Sequence, residues 1–120
     1  MNKNREIGIR GEKLAEEFFQ KKGFDLITRN YRTPYGEIDL VIRNQCELIF
    51  VEVKTRTNLS YGYPEMSIKD RKSEHLVNSA ETYLQEHPEM TLPWRIDVLA
   101  INYLSNKHDP IIEWFEDAVG

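Results

Sequence analysis

Two runs of strict alternation constrain this chain more than any other feature. In residues 37–43, Ile38, Leu40 and Ile42 alternate with Glu37, Asp39, Val41 and Arg43; in residues 48–54, Ile49, Val51 and Val53 alternate with Leu48, Phe50, Glu52 and Lys54. A period of two marks strands that lay one face on a core. Only a short polar segment around Asn44 and Gln45 separates the runs, so they read as an antiparallel hairpin. Opposed residues in such a pair have a constant index sum, and an odd sum places Asp39 and Glu52 on one face. Opposing Arg43 with Cys46 or with Leu48 meets that condition and separates the two carboxylates by about 5–8 Å. Lys54 joins the same patch and Glu37 lies close by. This face is thus apolar at the turn end, through Val41, Leu48 and Phe50, and acidic at the open end.

The segments around the hairpin complete the fold. Residues 3–22 have a helical stripe of Ile7, Gly11, Leu14 and Phe18, with Ala15 and Lys22 at its margin, and Gly23 follows as a stop. Gly8 and Gly11 inside this helix each cost about 1 kcal/mol relative to alanine, so a close approach is expected there. Residues 24–32 are strand-like and lead into the turn Thr33-Pro34-Tyr35-Gly36. The stretch from Thr55 to Ser67 is long for a connection and is a candidate substrate loop. A second helix is expected from Ile68 to Glu86, capped by Ser67 and using Leu76, Ala80, Tyr83 and Leu84 as its apolar side, with Pro88 beyond its end. Strands at 94–103 and 111–115 follow. Three strands, a crossover helix and a further strand imply an α/β fold, α+β if sorted by its hairpins, whose mixed sheet has a right-handed parallel connection.

Length and composition narrow the class. A chain of 120 residues with 40% hydrophobic residues suits one domain with a real core, here expected to span residues 1–120. Cys46 is the only cysteine, which excludes an internal disulfide and points to a reducing compartment. No apolar run is long enough for a membrane span, and the first residues lack the apolar stretch of a signal peptide, so a cytoplasmic location with no membrane partner is expected. The net charge of -4 is unevenly distributed. Residues 1–72 contain 14 Lys/Arg and 11 Asp/Glu, whereas residues 73–120 contain 2 and 9. Either these are ordinary solvated faces, or one side of the fold meets a polyphosphate.

Clustered carboxylates repel, so a half-buried group of them requires a cation, a shared proton or full hydration. A divalent metal is the most economical of these. Its ligands here would be oxygens, which favours Mg²⁺ or Mn²⁺, because His75, His87 and His108 are scattered and one cysteine builds no zinc site. Asp97 with Arg95 on a later strand reads as a structural ion pair instead.

The runs Gly11-Glu12, Gly36-Glu37-Ile38-Asp39-Leu40-Val41 and Phe50-Val51-Glu52-Val53-Lys54-Thr55-Arg56, followed by Arg95-Ile96-Asp97-Val98, resemble the YraN family of small bacterial proteins assigned as endonucleases. The resemblance covers nearly the whole chain. More distantly the chain is similar to archaeal Holliday junction resolvases within the PD-(D/E)XK superfamily, although Ile38 stands where the motif's proline would be. The resemblance implies a restriction-endonuclease-like sheet flanked by helices, metal-dependent cleavage of DNA with a preference for branched or structured forms, and a homodimer by analogy with the resolvases. It further implies that Asp39 is the central metal ligand, joined by Glu52, Glu12 and the Val53 carbonyl, and that Lys54 serves the attacking water or the phosphate. For the backbone phosphates, Arg10, Arg29, Arg32, Arg56, Arg71 and Lys72 are candidates, while Tyr61 and Tyr63 are candidates for stacking on an unpaired base. The rivals are a nucleic-acid-binding module with little or no cleavage of its own and a purely structural interaction protein.

Overall fold

The structure is a computed structural model that describes residues 3–57, 71–103 and 109–119. Its elements run α1 (Lys3–Lys21), β1 (Asp25–Thr33), β2 (Gly36–Arg43), β3 (Leu48–Arg56), α2 (Arg71–Glu86), β4 (Trp94–Asn102) and β5 (Ile111–Phe115). The five strands form one sheet in the order β1-β2-β3-β4-β5, antiparallel throughout except for the parallel pair β3 and β4. This mixed α+β architecture, with its α-β-β-β-α-β-β order, is the one the alternation implied. The proposed cap at Ser67, the start of the second helix before Arg71, and Tyr61 and Tyr63 lie outside the described residues.

Local chemistry explains the boundaries. Helix α1 stops at Gly23, which takes φ 93. There Phe24 N donates to Phe19 O at 3.0 Å and Gly23 N to Gln20 O at 3.1 Å, the paired bonds of a Schellman stop. At the first hairpin Thr33 Oγ1 accepts from Tyr35 N and Gly36 N, at 3.0 and 3.2 Å. At the second, Asn44 Oδ1 accepts from Cys46 N and Glu47 N, at 2.8 and 2.9 Å, so the turn is held by its own side chain.

Two apolar clusters sandwich the sheet. On one face α1 contributes Ala15 and Phe19 against Leu40, Ile42, Ile49, Val51, Leu99 and Ile101. On the other, α2 contributes Leu76, Ala80 and Tyr83 against Ile38, Val41, Leu48, Phe50, Ile96 and Val98. Each fully buried side chain of this size contributes about 1.5–3 kcal/mol. The alternation assigned β3 a core face of Ile49, Val51 and Val53; the opposite face is also buried at Leu48 and Phe50, because α2 covers it.

Three expectations require correction. The most buried line of α1 is Gly11, Ala15 and Phe19, while Ile7, Leu14 and Phe18 are only half-buried. Small residues let the helix come closest to the sheet, so the line of contact follows them instead of the bulkiest side chains. Of the two helix glycines only Gly11 meets a neighbour: a Cβ there would overlap Thr55 Cγ2, whereas Gly8 faces open space. Finally, Ile38 does not share a face with Leu40 and Ile42. It packs on the α2 side while they pack on the α1 side, so the alternation of β2 changes phase around Asp39. In the register Arg29↔Leu40 and Tyr31↔Ile38, the β1 residue level with Asp39 is Asn30, whose φ of 53 switches β1 in the same place.

Candidate active site

The site forms where two strands part. The β2–β3 ladder runs from Arg43↔Leu48 to Leu40↔Val51 and ends there, while β3 continues to Arg56 paired with β4. Arg43 opposite Leu48 is one of the two registers that turn parity allowed. Continuing the count puts Asp39 level with Glu52 at the fork. The Asp39 carboxylate takes over the role of the lost ladder, since Val53 N donates to its Oδ2 at 2.8 Å. The Val53 amide thereby ties Asp39 to β3.

Other acids crowd this carboxylate. Burial, followed by the charge of Glu52, raises Asp39 from the ordinary 3.8 to about 8; the Val53 amide acts in the opposite sense, and Glu12 and Glu37 add to the rise. Glu12 arrives from α1, placed by the close approach at Gly11. Its carboxyl is likewise raised, first by burial and then by Glu37 and Glu52. Lys54 is almost wholly buried, with Nζ 3.4 Å from Glu52 Oε1, so the expected lysine sits within the acidic patch.

This donor set suits a hard divalent cation: it is all oxygen, several groups are anionic, and their mutual repulsion would be relieved by one positive charge. Among the described residues no three His, Cys, Asp or Glu side chains are already drawn together as a metal-binding group. Glu12 and Glu52 are nonetheless close enough to raise the Asp39 carboxyl.

One residue of this cluster escaped the sequence reading. With its amide nitrogen turned toward the carboxylates, Asn30 lies 3.0 Å from Glu12 Oε1 and 3.1 Å from Glu37 Oε1. The opposite orientation would set the amide oxygen against two carboxylate oxygens. The only signal in the sequence was an asparagine within a strand, a residue type that tolerates positive φ.

The basic residues are more dispersed. Arg29 binds Glu16 through Nη2 at 2.8 Å and Nε at 3.2 Å, and both line a cleft of about 350 Å³ with Glu12, Lys13 and Asn30. Arg32 is highly exposed and 3.3 Å from Glu37. Arg56 donates to the Thr55 carbonyl at 3.1 Å, and the Arg10 guanidinium stands 5.7 Å from the centre of the Tyr103 ring. The side chains of Arg71 and Lys72 lie outside the description. Asp97 behaves as expected of an ion pair, with Oδ1 2.9 Å from Arg95 Nε.

Comparison with known proteins places the chain. The family described as Uncharacterised protein family UPF0102 matches residues 11–101, a span containing Glu12, Asp39, Glu52 and Lys54. A UPF0102 protein of Dehalococcoides mccartyi is 40% identical over 97% of this chain and 94% of its own length. One from Chloroherpeton thalassium is 37% identical over 98% and 91%, respectively. Another, from Clostridioides difficile, is 35% identical over 93% and 98%. The resemblance to YraN proteins thus holds at the level of the family, and the chain belongs to UPF0102.

Proposed function

We propose that this protein is a metal-dependent nuclease that hydrolyses phosphodiester bonds in DNA, with its site at the fork between β2 and β3. The observation that carries this reading is a half-buried aspartate held by a backbone amide of the neighbouring strand, with Glu52, Glu12 and Lys54 around it. Asp39, Glu52 and Glu12 would hold Mg²⁺ or Mn²⁺, and the Val53 carbonyl is a further candidate ligand. When bound, the ion supplies Lewis-acid polarisation of the phosphoryl oxygen and acidifies the attacking water.

The chain's own residues account for the remaining requirements. The Val53 amide fixes Asp39 in one orientation, so the carboxylate need not reorganise during the reaction. Lys54, kept near Glu52 and largely out of solvent, offers a fixed positive charge to the phosphate or a proton-transfer group to the water. Arg10, Arg29, Arg32, Arg56 and Lys72 would bind flanking backbone phosphates, and Tyr61 and Tyr63 an unpaired base. The preference for branched DNA and the homodimer rest on the likeness to resolvases and the PD-(D/E)XK superfamily alone. A second reading, a nucleic-acid-binding module with little or no cleavage, is favoured by the absence of a preassembled metal-ligand trio among the described residues.

A panel of single-stranded, duplex, flap and four-way-junction DNA plus RNA, incubated with Mg²⁺, Mn²⁺ or EDTA, tests the proposal. Cleavage that requires the metal supports the nuclease, whereas salt-sensitive binding without cleavage supports the module. In the nuclease, Lys54→Met lowers the cleavage rate by at least about 100-fold and leaves DNA affinity nearly unchanged, because the lysine serves the chemical step.

A further inference from the structure

Asn30 has no part in the chemistry outlined above, yet it touches two of the site's carboxylates. In the amide orientation that pairs donors with acceptors, its nitrogen reaches acids on different elements, Glu12 on α1 at 3.0 Å and Glu37 on β2 at 3.1 Å. We infer that Asn30 is the positioning residue of the site, holding Glu12 beside Asp39 so that the helix-borne carboxylate is in place when a divalent cation binds. The inference rests on the metal-dependent reading of the site.

Three features of the molecule support it. The first is chemical economy. An amide donates two hydrogen bonds without bringing a charge, so it orients carboxylates without neutralising them; a lysine here would compete with the cation, and an aspartate would add repulsion. The second is the backbone. Asn30 sits at the rung where both β1 and β2 change phase, and its φ of 53 puts Arg29 on the α1 side while Tyr31 packs on the α2 side. Asparagine is among the few residues with a side chain that adopt this conformation readily. The third is a matched pair of contacts. Arg29 grips Glu16 at 2.8 and 3.2 Å, and the adjacent Asn30 reaches Glu12, one helical turn earlier. Two consecutive residues of β1 thus fasten two consecutive turns of α1, and the turn that Asn30 fastens carries the candidate ligand.

Removing a residue that hydrogen-bonds to a metal ligand typically changes metal affinity 10- to 100-fold. Asn30→Gly is the suitable variant, because glycine accepts the positive φ and deletes only the amide. The measurement is the Mn²⁺ concentration at the midpoint of the metal-induced rise in melting temperature, without DNA. Asn30→Gly should raise that midpoint roughly tenfold, while circular dichroism shows a wild-type fold. Glu16→Gln, which loosens α1 one turn away, should leave it unchanged. In a Glu12→Ala background Asn30→Gly should have no further effect, since the asparagine acts through Glu12. With DNA present, kcat should fall while KM for DNA holds. If Asn30→Gly unfolds, Asn30→Ser retains a single donor and should give an intermediate midpoint. A wild-type midpoint in Asn30→Gly overturns the inference, as does an equal loss in the Glu12→Ala background or in Glu16→Gln. A wild type whose melting temperature ignores Mn²⁺ overturns the metal reading and this inference with it, a failure visible before any variant is made.

Discussion

Asp39 and Asp97 lie two strands apart in one sheet, and their surroundings are opposite. Asp97 on β4 is completely buried and fully engaged. Arg95 binds both of its oxygens, at 2.9 and 3.3 Å, Trp114 Nε1 donates to Oδ2 at 2.8 Å, and Asp117 N donates to Oδ1 at 2.8 Å. Arg95 extends the network to Glu47 and Glu116. Asp39 on β2 accepts from the Val53 amide, and its near neighbours Glu52, Glu12 and Glu37 are acids of its own kind. The difference separates a carboxylate whose charge is met by donors on every side from one whose single strand-to-strand bond is set among acids. A buried charge that is satisfied on every side stabilises the fold once in place, whereas one crowded by like charges opposes it until a cation or proton arrives.

The comparison can be broken most sharply at Asp97. Asp97→Ala strands the Trp114 and Asp117 donors and part of the Arg95 network, so it should cost about 3–5 kcal/mol in urea unfolding. Asp39→Asn should do the reverse in metal-free protein. Above about pH 8, where Asp39 is ionised, removing one of several like charges should leave stability unchanged or raise it by about 1 kcal/mol, roughly 4 °C in melting temperature. The same substitution should abolish most of the Mn²⁺-induced rise expected of wild type. Equal destabilisation by both substitutions would erase the distinction between the two aspartates.

The pH dependence sharpens it further. Because Asp39 titrates near 8 in the folded chain against 3.8 ordinarily, the folded state holds the extra proton between those values. Its contribution to stability is therefore fully present below about pH 4 and is lost as pH rises through about 8. Metal-free wild type should lose stability across this interval in thermal melts, and Asp39→Asn should flatten the loss. A profile identical in the two proteins would assign the slope to other groups. The smallest expected effect is on DNA binding. Arg32→Ala with Arg56→Ala should weaken affinity and reduce the slope of log affinity against log salt by about 1–2, measured by fluorescence anisotropy. An unchanged slope would remove these arginines from the phosphate track.

The legible part of the site was the part that obeys a period. Strand alternation and turn parity placed Asp39 on one face with Glu52, beside it or directly across, and put Lys54 in the same patch; the ladder has the second of the two registers so allowed. Glu12 was different, because periodicity along α1 says nothing about which turn approaches β3. That was decided by Gly11 lying against Thr55. Asn30 was less legible still, since a positive φ in the middle of a strand breaks the rule by which the strand was recognised.

Elements, their order and the parity of the hairpin register were thus determined by the sequence itself, because they follow from short-range periodicity, turn chemistry and the constant index sum of antiparallel strands. Tertiary structure alone decided that β3 would be covered on both faces, that β2 would change phase at Asp39, and that a helix carboxylate and a strand amide would meet at the fork. Those outcomes depend on how closely separate elements can pack and where a ladder runs out of partners. Both are properties of surfaces brought together in space, and neither repeats along the chain.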